Sequence, residues 1–266
     1  MIRDGHSEGE ESVTQRSVVA TREQRFWEVD AARGVAIVMM VIYHLTYDLD
    51  TFGGYDIEST SGFWAHFSDA TASAFLLLVG ISLFISYSRA GARGGLFGKY
   101  LLRGLRIFAY GMALTLVFLA LGLGVVAFGI LHLIGVSIIL AYPLLSYRYA
   151  NLLLGISVIA VGWYMRAHDV ASSSPWLLPL GVVPENLPMP DYRPLLPWFG
   201  VVLIGIFAGN VLYAGGERPA LVAKGAPPAA KPLVPLGRNS LLIYFVHQPI
   251  LIALLVALGI IQIGLL

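Results

Sequence analysis

Seven apolar segments constrain the fold of this chain more than any other feature of its sequence. A helix needs about 20 largely apolar residues to cross the hydrocarbon core of a bilayer. The segments lie at about residues 30–49, 68–87, 100–121, 125–145, 151–165, 195–213 and 240–261. Only 12% of the residues are charged, whereas a soluble domain has about 25%. The sequence therefore predicts an all-α fold, a polytopic membrane helix bundle of about seven transmembrane helices.

The basic residues predict the orientation of this bundle. With the N-terminus inside, 15 of the 17 Lys and Arg residues fall in inner segments. The loop after the first span instead holds Asp50, Asp56 and Glu58 and no basic residue. Because Lys and Arg concentrate on the cytoplasmic side of membranes, we predict a cytoplasmic N-terminus and an outer C-terminus. The predicted location is the cell membrane, with the lipid bilayer as a partner.

The chain divides into a tail and one membrane domain. Residues 1–24 are polar and predict a disordered tail, and residues 25–266 form the predicted domain. Within it, residues 214–235 are rich in Gly and Pro, which predicts a cytoplasmic linker without regular structure before the last helix. The proline-rich stretch 176–197 predicts an ordered outer loop. The net charge of +1 does not favour nucleic acid as a partner, and a homodimer stays an open alternative.

The first span carries the most informative polar residues. Arg33 and His44 are eleven residues apart, which is about three helical turns or 16 Å along one face. Asp30 and Asp48 extend the same stripe toward its two ends. A carboxylate beside an imidazole fixes its tautomer and raises its basicity. We therefore predict that His44 is a catalytic base oriented by Asp48; the alternative is a histidine that serves only helix packing.

Further polar residues are expected toward the outer half of the bundle. His66, with Asp69 three residues on, is a second catalytic candidate, although a histidine at the mouth of the bundle can simply be solvated. Four residues are predicted to line the side of a site where the acceptor substrate binds (the acceptor side): His132, Asn239, Tyr244 and His247. A structural hydrogen bond is the alternative role for His132, and helix initiation is the alternative for Asn239.

Basic residues near the inner side predict a binding site for a phosphorylated donor. The candidates for contact with an acyl-CoA are Arg33, Arg89, Arg93, Arg103, Arg106 and Arg238. The alternative is that these residues only determine topology and bind anionic lipid. The sequence has no cysteine and no metal-binding spacing such as His-Glu-x-x-His, so no metal site is predicted.

Four stretches resemble one family of membrane enzymes. They are residues 25–44 (RFWEVDAARGVAIVMMVIYH), 128–135 (FGILHLIG), 191–200 (DYRPLLPWFG) and 236–247 (LGRNSLLIYFVH). Together they resemble the heparan-α-glucosaminide N-acetyltransferase catalytic-domain family of transmembrane acyltransferases. The resemblance implies an enzyme without a permanently bound cofactor that uses acetyl-CoA or another acyl-CoA as co-substrate. The implied acceptor is an amino or hydroxyl group of a sugar or glycolipid across the membrane.

The resemblance leaves the identity of the catalytic histidine open, and also whether this histidine deprotonates the acceptor or relays the acyl group as an acyl-imidazole. The lysosomal relative has Asn at the position of His44 and a catalytic histidine in the following stretch, where His66 is the nearest counterpart. Two further functions also stay open. Intramembrane His and Asp residues suit a proton-coupled transporter, and a non-catalytic membrane scaffold would keep the same fold.

Overall fold

The protein is an all-helical bundle in its computed structural model. The structure describes residues 25–91, 95–120, 125–170, 172, 174–182, 191–220, 222 and 225–261. The α-helices in this part are α1 (Trp27–Gly53), α2 (Gly62–Ala90), α3 (Leu96–Ala120), α4 (Ile130–Ala141), α5 (Arg148–Ala167), α6 (Leu195–Leu212), α7 (Leu233–Arg238) and α8 (Ser240–Ala257). All but α4 and α7 are long and apolar enough to cross a membrane. The chain is therefore a multi-pass membrane protein.

The fourth predicted span is shorter than the sequence suggests. Residues 125–129 are not helical, and α4 with the 3₁₀ turn that follows covers Ile130–Leu144. Fifteen residues make about 22 Å of helix, less than the roughly 30 Å of a hydrocarbon core. Hydrogen bonds hold the preceding segment open: Thr115 donates to the Val126 carbonyl at 2.6 Å, and the Arg193 amide donates to the Phe128 carbonyl at 2.9 Å. The prediction of helix from residue 125 is wrong.

Close backbone contact joins α2 to α6 and α6 to α5. A Cβ on Gly80 of α2 or on Gly205 of α6 would overlap the backbone of the facing helix. Gly155 and Gly200 make the same kind of approach between α5 and α6. In lipid there is little hydrophobic drive between helices, so small residues that allow close packing hold them together. These three helices form the tightly packed part of the bundle.

The end of the predicted linker is helical. Residues Ala214–Gly216 and Pro228–Ala230 form 3₁₀ turns, and α7 begins at Leu233, inside the stretch predicted to lack regular structure. Gly34 of α1 lies against the carbonyl of Leu233, and Gly237 of α7 lies against the carbonyl of Asp30. The absence of side chains at both glycines allows this contact, and it overrides the local breaker residues.

The last helix is packed loosely. Helix α8 contacts α1 and α7, and most of its surface is exposed. Pro249 lies inside it and removes one backbone amide from the helical ladder. The polar contacts between α8 and α1 therefore have a large share in fixing where α8 sits.

Some predicted features lie outside the described residues. These are the tail 1–24, the candidate Arg93 and residues 183–190 of the predicted outer loop. Within that loop, Pro175–Leu180 forms a 3₁₀ helix.

Candidate active site

Two histidines from different helices meet at the centre of the candidate site. His44 of α1 and His247 of α8 lie edge to face, with ring centroids 4.7 Å apart. His44 is half-buried, whereas His247 is buried. The structure thus brings together two residues that are 203 positions apart in the chain and that the sequence marked separately.

Hydrogen bonds fix the tautomer of both rings. Nδ1 of His44 lies 2.9 Å from the Met40 carbonyl, and Nδ1 of His247 lies 2.8 Å from the Tyr244 carbonyl. A carbonyl can only accept, so Nδ1 carries the proton in each ring and Nε2 keeps a free lone pair. His247 Nε2 is buried without a partner among the described residues. In its neutral form, each ring therefore has the tautomer that a general base requires, with the lone pair on Nε2.

Asp48 does not orient His44 as predicted. Its carboxylate is completely buried and accepts a hydrogen bond from Gln248 Nε2 at 2.6 Å. The Nδ1 of His44 is already bonded to the backbone carbonyl four residues earlier, which is the nearer acceptor on a helix. The expected His44–Asp48 hydrogen bond is therefore absent, and Asp48 instead connects α1 to α8.

A carboxylate from the segment before α6 reaches the same region. Asp191 accepts hydrogen bonds from the Tyr244 hydroxyl at 2.9 Å and from the Ile130 amide at 3.2 Å. Its φ of 52° is in the left-handed region, which Asp tolerates better than most residues. A Cβ on Gly129 would lie only 2.8 Å from its Oδ2, so glycine permits this approach.

The environment of Asp191 disfavours its charge. The residue keeps exposed surface, yet the bundle around it desolvates the carboxyl, and this burial raises its pKa. Arg193 and the hydrogen bond from Tyr244 oppose the rise.

His132 has a structural contact in place of the predicted acceptor contact. Its side chain is 1% exposed, and its Nδ1 accepts the Gly129 amide at 3.1 Å. The ring lies edge to face with Phe108. His132 and Asp191 thus bind the first free amides of α4 and fix its start inside the bundle. The geometry therefore favours the structural role of His132, in which its ring accepts a hydrogen bond from the Gly129 backbone amide.

Two further candidates lie apart from the histidine pair. His66 is exposed at the start of α2 and has no hydrogen bond within the described residues. Its predicted companion Asp69 pairs with Arg193 at 3.7 Å instead. Asn239 lies at the other end of the bundle, where its side chain donates to the Pro235 carbonyl at 2.9 Å. This bond ties Asn239 to the end of α7, and its place on the acceptor side stays a prediction.

A basic cleft lies at the end of the bundle where α1 begins. It has a volume of about 510 Å³ and is lined by α1, α2 and α3. Its charged residues are Arg25, Asp30, Arg33, Arg89, Lys99 and Arg103. Lys99 and Arg103 have no ion pair among the described residues, so their charges are available to an anion. Positive charge exceeds negative charge, as a phosphate site requires.

Asp30 is the carboxylate that organises this end. It is 5% exposed and lies 3.3 Å from both Arg33 Nη1 and Arg238 Nε. Arg33 also donates to Ser82 Oγ at 2.9 Å. The second cleft, of about 430 Å³, includes Arg238 and shares Arg25 with the first. Arg106 lines neither cleft.

One helix connects the cleft to the histidine pair. Arg33 and His44 both belong to α1, and their separation of eleven residues corresponds to about 16 Å of helix. Arg33 lines the basic cleft, and His44 contacts His247. The predicted stripe on the first helix therefore joins two distinct polar regions.

Sequence reasoning missed three residues. Asp191 lies in one of the four stretches that resemble the family, and this location could have identified it as a candidate. Gln248 directly follows His247, but a neutral amide at a helix centre gives little signal. Lys99 lies one turn before Arg103, so i, i+4 spacing could have placed it on the same face.

The fold and the two polar regions define a multi-pass membrane protein with a basic cleft and an internal histidine site. The sequence also matches the family described as heparan-alpha-glucosaminide N-acetyltransferase, catalytic, over residues 25–249. The chain belongs to this family of membrane acetyltransferases. The match extends from the basic cleft to Pro249 of α8 and so includes both polar regions. No curated protein and no solved structure matches the chain.

Proposed function

We propose that the protein transfers an acetyl or other acyl group from acyl-CoA to an amino or hydroxyl group of a sugar or glycolipid. The observation that carries the proposal is the course of α1, which has Arg33 in the basic cleft and His44 in the histidine pair. An extended donor anchored by its phosphates at the cleft would bring its thioester about 16 Å along this helix.

The basic cleft suits the nucleotide part of the donor. Lys99 and Arg103 supply charges that no carboxylate of the described residues neutralises, and Arg33 supplies a guanidinium held in place by Asp30 and Ser82. Arginine recognises phosphate through charge-assisted hydrogen bonds, often bidentate. By the positive-inside rule this end faces the cytoplasm, where the donor is found, and the acceptor binds from the other side.

His44 is the base in the proposed reaction because its ring is partly accessible and its Nε2 has a free lone pair. Nε2 takes the proton from the acceptor amine or hydroxyl as that group attacks the thioester carbonyl. The carbon–sulfur bond breaks, the acyl group joins the acceptor, and the CoA thiolate leaves and takes the proton from His44 Nε2, which restores the neutral ring. His247 holds the opposite side of the His44 ring.

The polar atoms near the pair favour an acceptor that is rich in hydrogen-bond donors. His44 Nε2 has no partner among the described residues, and the Tyr244 hydroxyl donates its hydrogen bond to Asp191 and so presents only lone pairs to an acceptor. Asp191 adds carboxylate oxygens on the same side. Amino and hydroxyl groups of a sugar supply the complementary donors.

The test is acyl transfer by the purified protein in detergent. Radiolabelled acetyl-CoA is supplied with a panel of amino sugars and glycolipid extracts, and wild type is compared with His44→Gln and His66→Gln. We expect label in an acceptor with wild type and His66→Gln, and not with His44→Gln. Loss of transfer in His66→Gln alone would identify His66 of α2 as the base. No transfer and no CoA release with any acceptor would favour a transporter, or a donor other than acetyl-CoA.

A further inference from the structure

The contact between Asp48 and Gln248 contains two buried oxygen atoms without partners. Gln248 Nε2 donates to Asp48 Oδ1 at 2.6 Å. Asp48 Oδ2 and Gln248 Oε1 are both buried, and neither has a hydrogen bond within the described residues. Both atoms are acceptors when the carboxyl is ionised, so in that state neither can satisfy the other.

One proton on Asp48 gives both unpaired oxygen atoms a hydrogen-bond partner. A carboxylic acid has one O–H donor, and a primary amide has an oxygen acceptor beside its N–H donors. A proton on Oδ2 can be donated to Gln248 Oε1, which together with the existing bond closes a ring of two hydrogen bonds. A buried polar group left unpaired costs about 1–3 kcal/mol, and a buried unpaired charge costs more.

Apart from the hydrogen bond from Gln248, the described residues around Asp48 offer nothing to stabilise its charge. On α1, His44 Nδ1 is bonded to a backbone carbonyl, and on α8, His247 Nδ1 is bonded in the same way, so neither of these nitrogens donates to Asp48. Arg193, on the segment before α6, is engaged by Ser68 and Asp69. Within the described part of the chain, Asp48 has no ion pair.

We propose that Asp48 is protonated in the folded protein and forms an acid–amide latch with Gln248. The latch joins α1 to α8, whose other contacts are few. Gln248 directly follows His247, so the latch holds the His247 ring against His44. Gln248 is therefore a positioning residue for the histidine pair. The consequence for activity rests on the proposed function, but the protonation of Asp48 does not.

Infrared spectroscopy of the full-length protein tests the protonation directly. A protonated carboxyl has a C=O band that differs from that of a carboxylate and shifts in heavy water. We expect the difference spectrum of wild type minus Asp48→Asn to show the acid band at neutral pH. Asp50→Asn is the matched control, because Asp50 accepts hydrogen bonds from the Ser59 amide and hydroxyl and has no need of a proton. A carboxylate band from Asp48 would overturn the proposal.

Activity of the same variants tests the positioning role. Asn at position 48 can form the same ring of two hydrogen bonds, so transfer by Asp48→Asn should stay within about threefold of wild type. Gln248→Leu removes the latch, and displacement of His247 should lower transfer about 100-fold. If Asp48 acted as an ionised partner of His44, Asp48→Asn would instead lose about 1000-fold or more. That result, or full activity of folded Gln248→Leu, would overturn the positioning role. If the protein transfers no acyl group, the infrared result still decides the protonation.

Discussion

The two polar regions of this bundle handle charge in opposite ways. At the basic end, Asp30 pairs with two arginines, and Lys99 and Arg103 have no ion pair in the part of the chain that the structure describes. Around the histidine pair, both imidazoles are bonded through Nδ1 to backbone carbonyls, and neither ring pairs with a carboxylate within the described residues. One helix, α1, contributes residues to both regions.

The difference teaches how one bundle can separate binding from chemistry. An open cleft keeps charged side chains hydrated, so unpaired cations are tolerable there and available to a phosphate. An internal site desolvates charge, so its side chains are held neutral and in a defined tautomer, as proton transfer requires. Variants that change each region separately test whether binding and chemistry are divided in this way.

The largest effect is expected at the histidine pair. His44→Gln and His247→Gln should each lower kcat by about 10²–10⁴, because a positioned base contributes about that factor and His247 holds the ring of that base in position. The KM for acyl-CoA should hardly change, since the donor is bound at the other region. Steady-state kinetics of both variants and of the double variant provide the measurement.

The double variant tests whether the two rings act together. Residues that work as a unit give non-additive losses, so the double variant should be little worse than either single one. If the two losses multiply, His44 and His247 act independently and do not form one functional unit.

The next largest effect is expected where α7 meets α1. A Cβ on Gly237 would overlap the Asp30 carbonyl, so Gly237→Ala should destabilise the protein by about 2 kcal/mol through overpacking. Thermal unfolding in detergent provides the measurement. Gly98→Ala is the control, because no atom lies within 4 Å of the added Cβ there. Equal stability of the two variants would contradict the tight contact between α7 and α1.

A smaller effect, on binding alone, is expected in the basic cleft. Arg103→Gln should raise the KM for acyl-CoA about tenfold, which corresponds to one lost charge-assisted hydrogen bond of about 1.4 kcal/mol. The kcat should stay near the wild-type value. Arg106→Gln is the matched control on the same helix, since Arg106 lines neither cleft. A rise in KM for both variants would mean that the donor lies along α3 and not in the cleft.

The smallest effect is a pH dependence of stability at Asp191. Burial raises the pKa of this carboxyl above its ordinary value of 3.8, so the folded protein holds the proton more tightly than the unfolded chain. The stability that this provides is fully present below the unfolded pKa and is lost as the pH rises through the folded pKa. Asp191→Asn cannot ionise, so its melting temperature should fall less than that of wild type over this range. Parallel curves for the two proteins would exclude Asp191 as the source.

Most of the helices could be predicted because their signal is local. Long apolar segments identify six spans, and the boundaries differ from the structure by a few residues, as the helix at Leu195–Leu212 illustrates. The start of α4 could not be predicted in this way. Its first amides are bonded by Asp191 and His132, and the position of Asp191 depends on a contact 61 residues away in sequence.

The candidate site was predictable only in part for a related reason. His44, Tyr244 and His247 were identified because polar residues in apolar helices are costly and therefore conspicuous. Gln248 and Asp191 were missed because their roles arise from partners on other segments. The predicted partnership of His44 with Asp48 was wrong because i, i+4 spacing on a helix gives a shared face but does not exclude a competing partner across it.

The sequence by itself determined that this chain crosses a membrane, how its basic residues are distributed, and to which family it belongs, because hydrophobicity and charge act residue by residue along the chain. The tertiary structure decided which polar groups meet. Asp48 pairs with Gln248, His44 lies against His247, and Tyr244 donates to Asp191. Each of these contacts depends on how two helices are turned toward each other. That rotation is set by the packing of the whole bundle, through contacts such as Gly34 with Leu233, and is not encoded in any one segment.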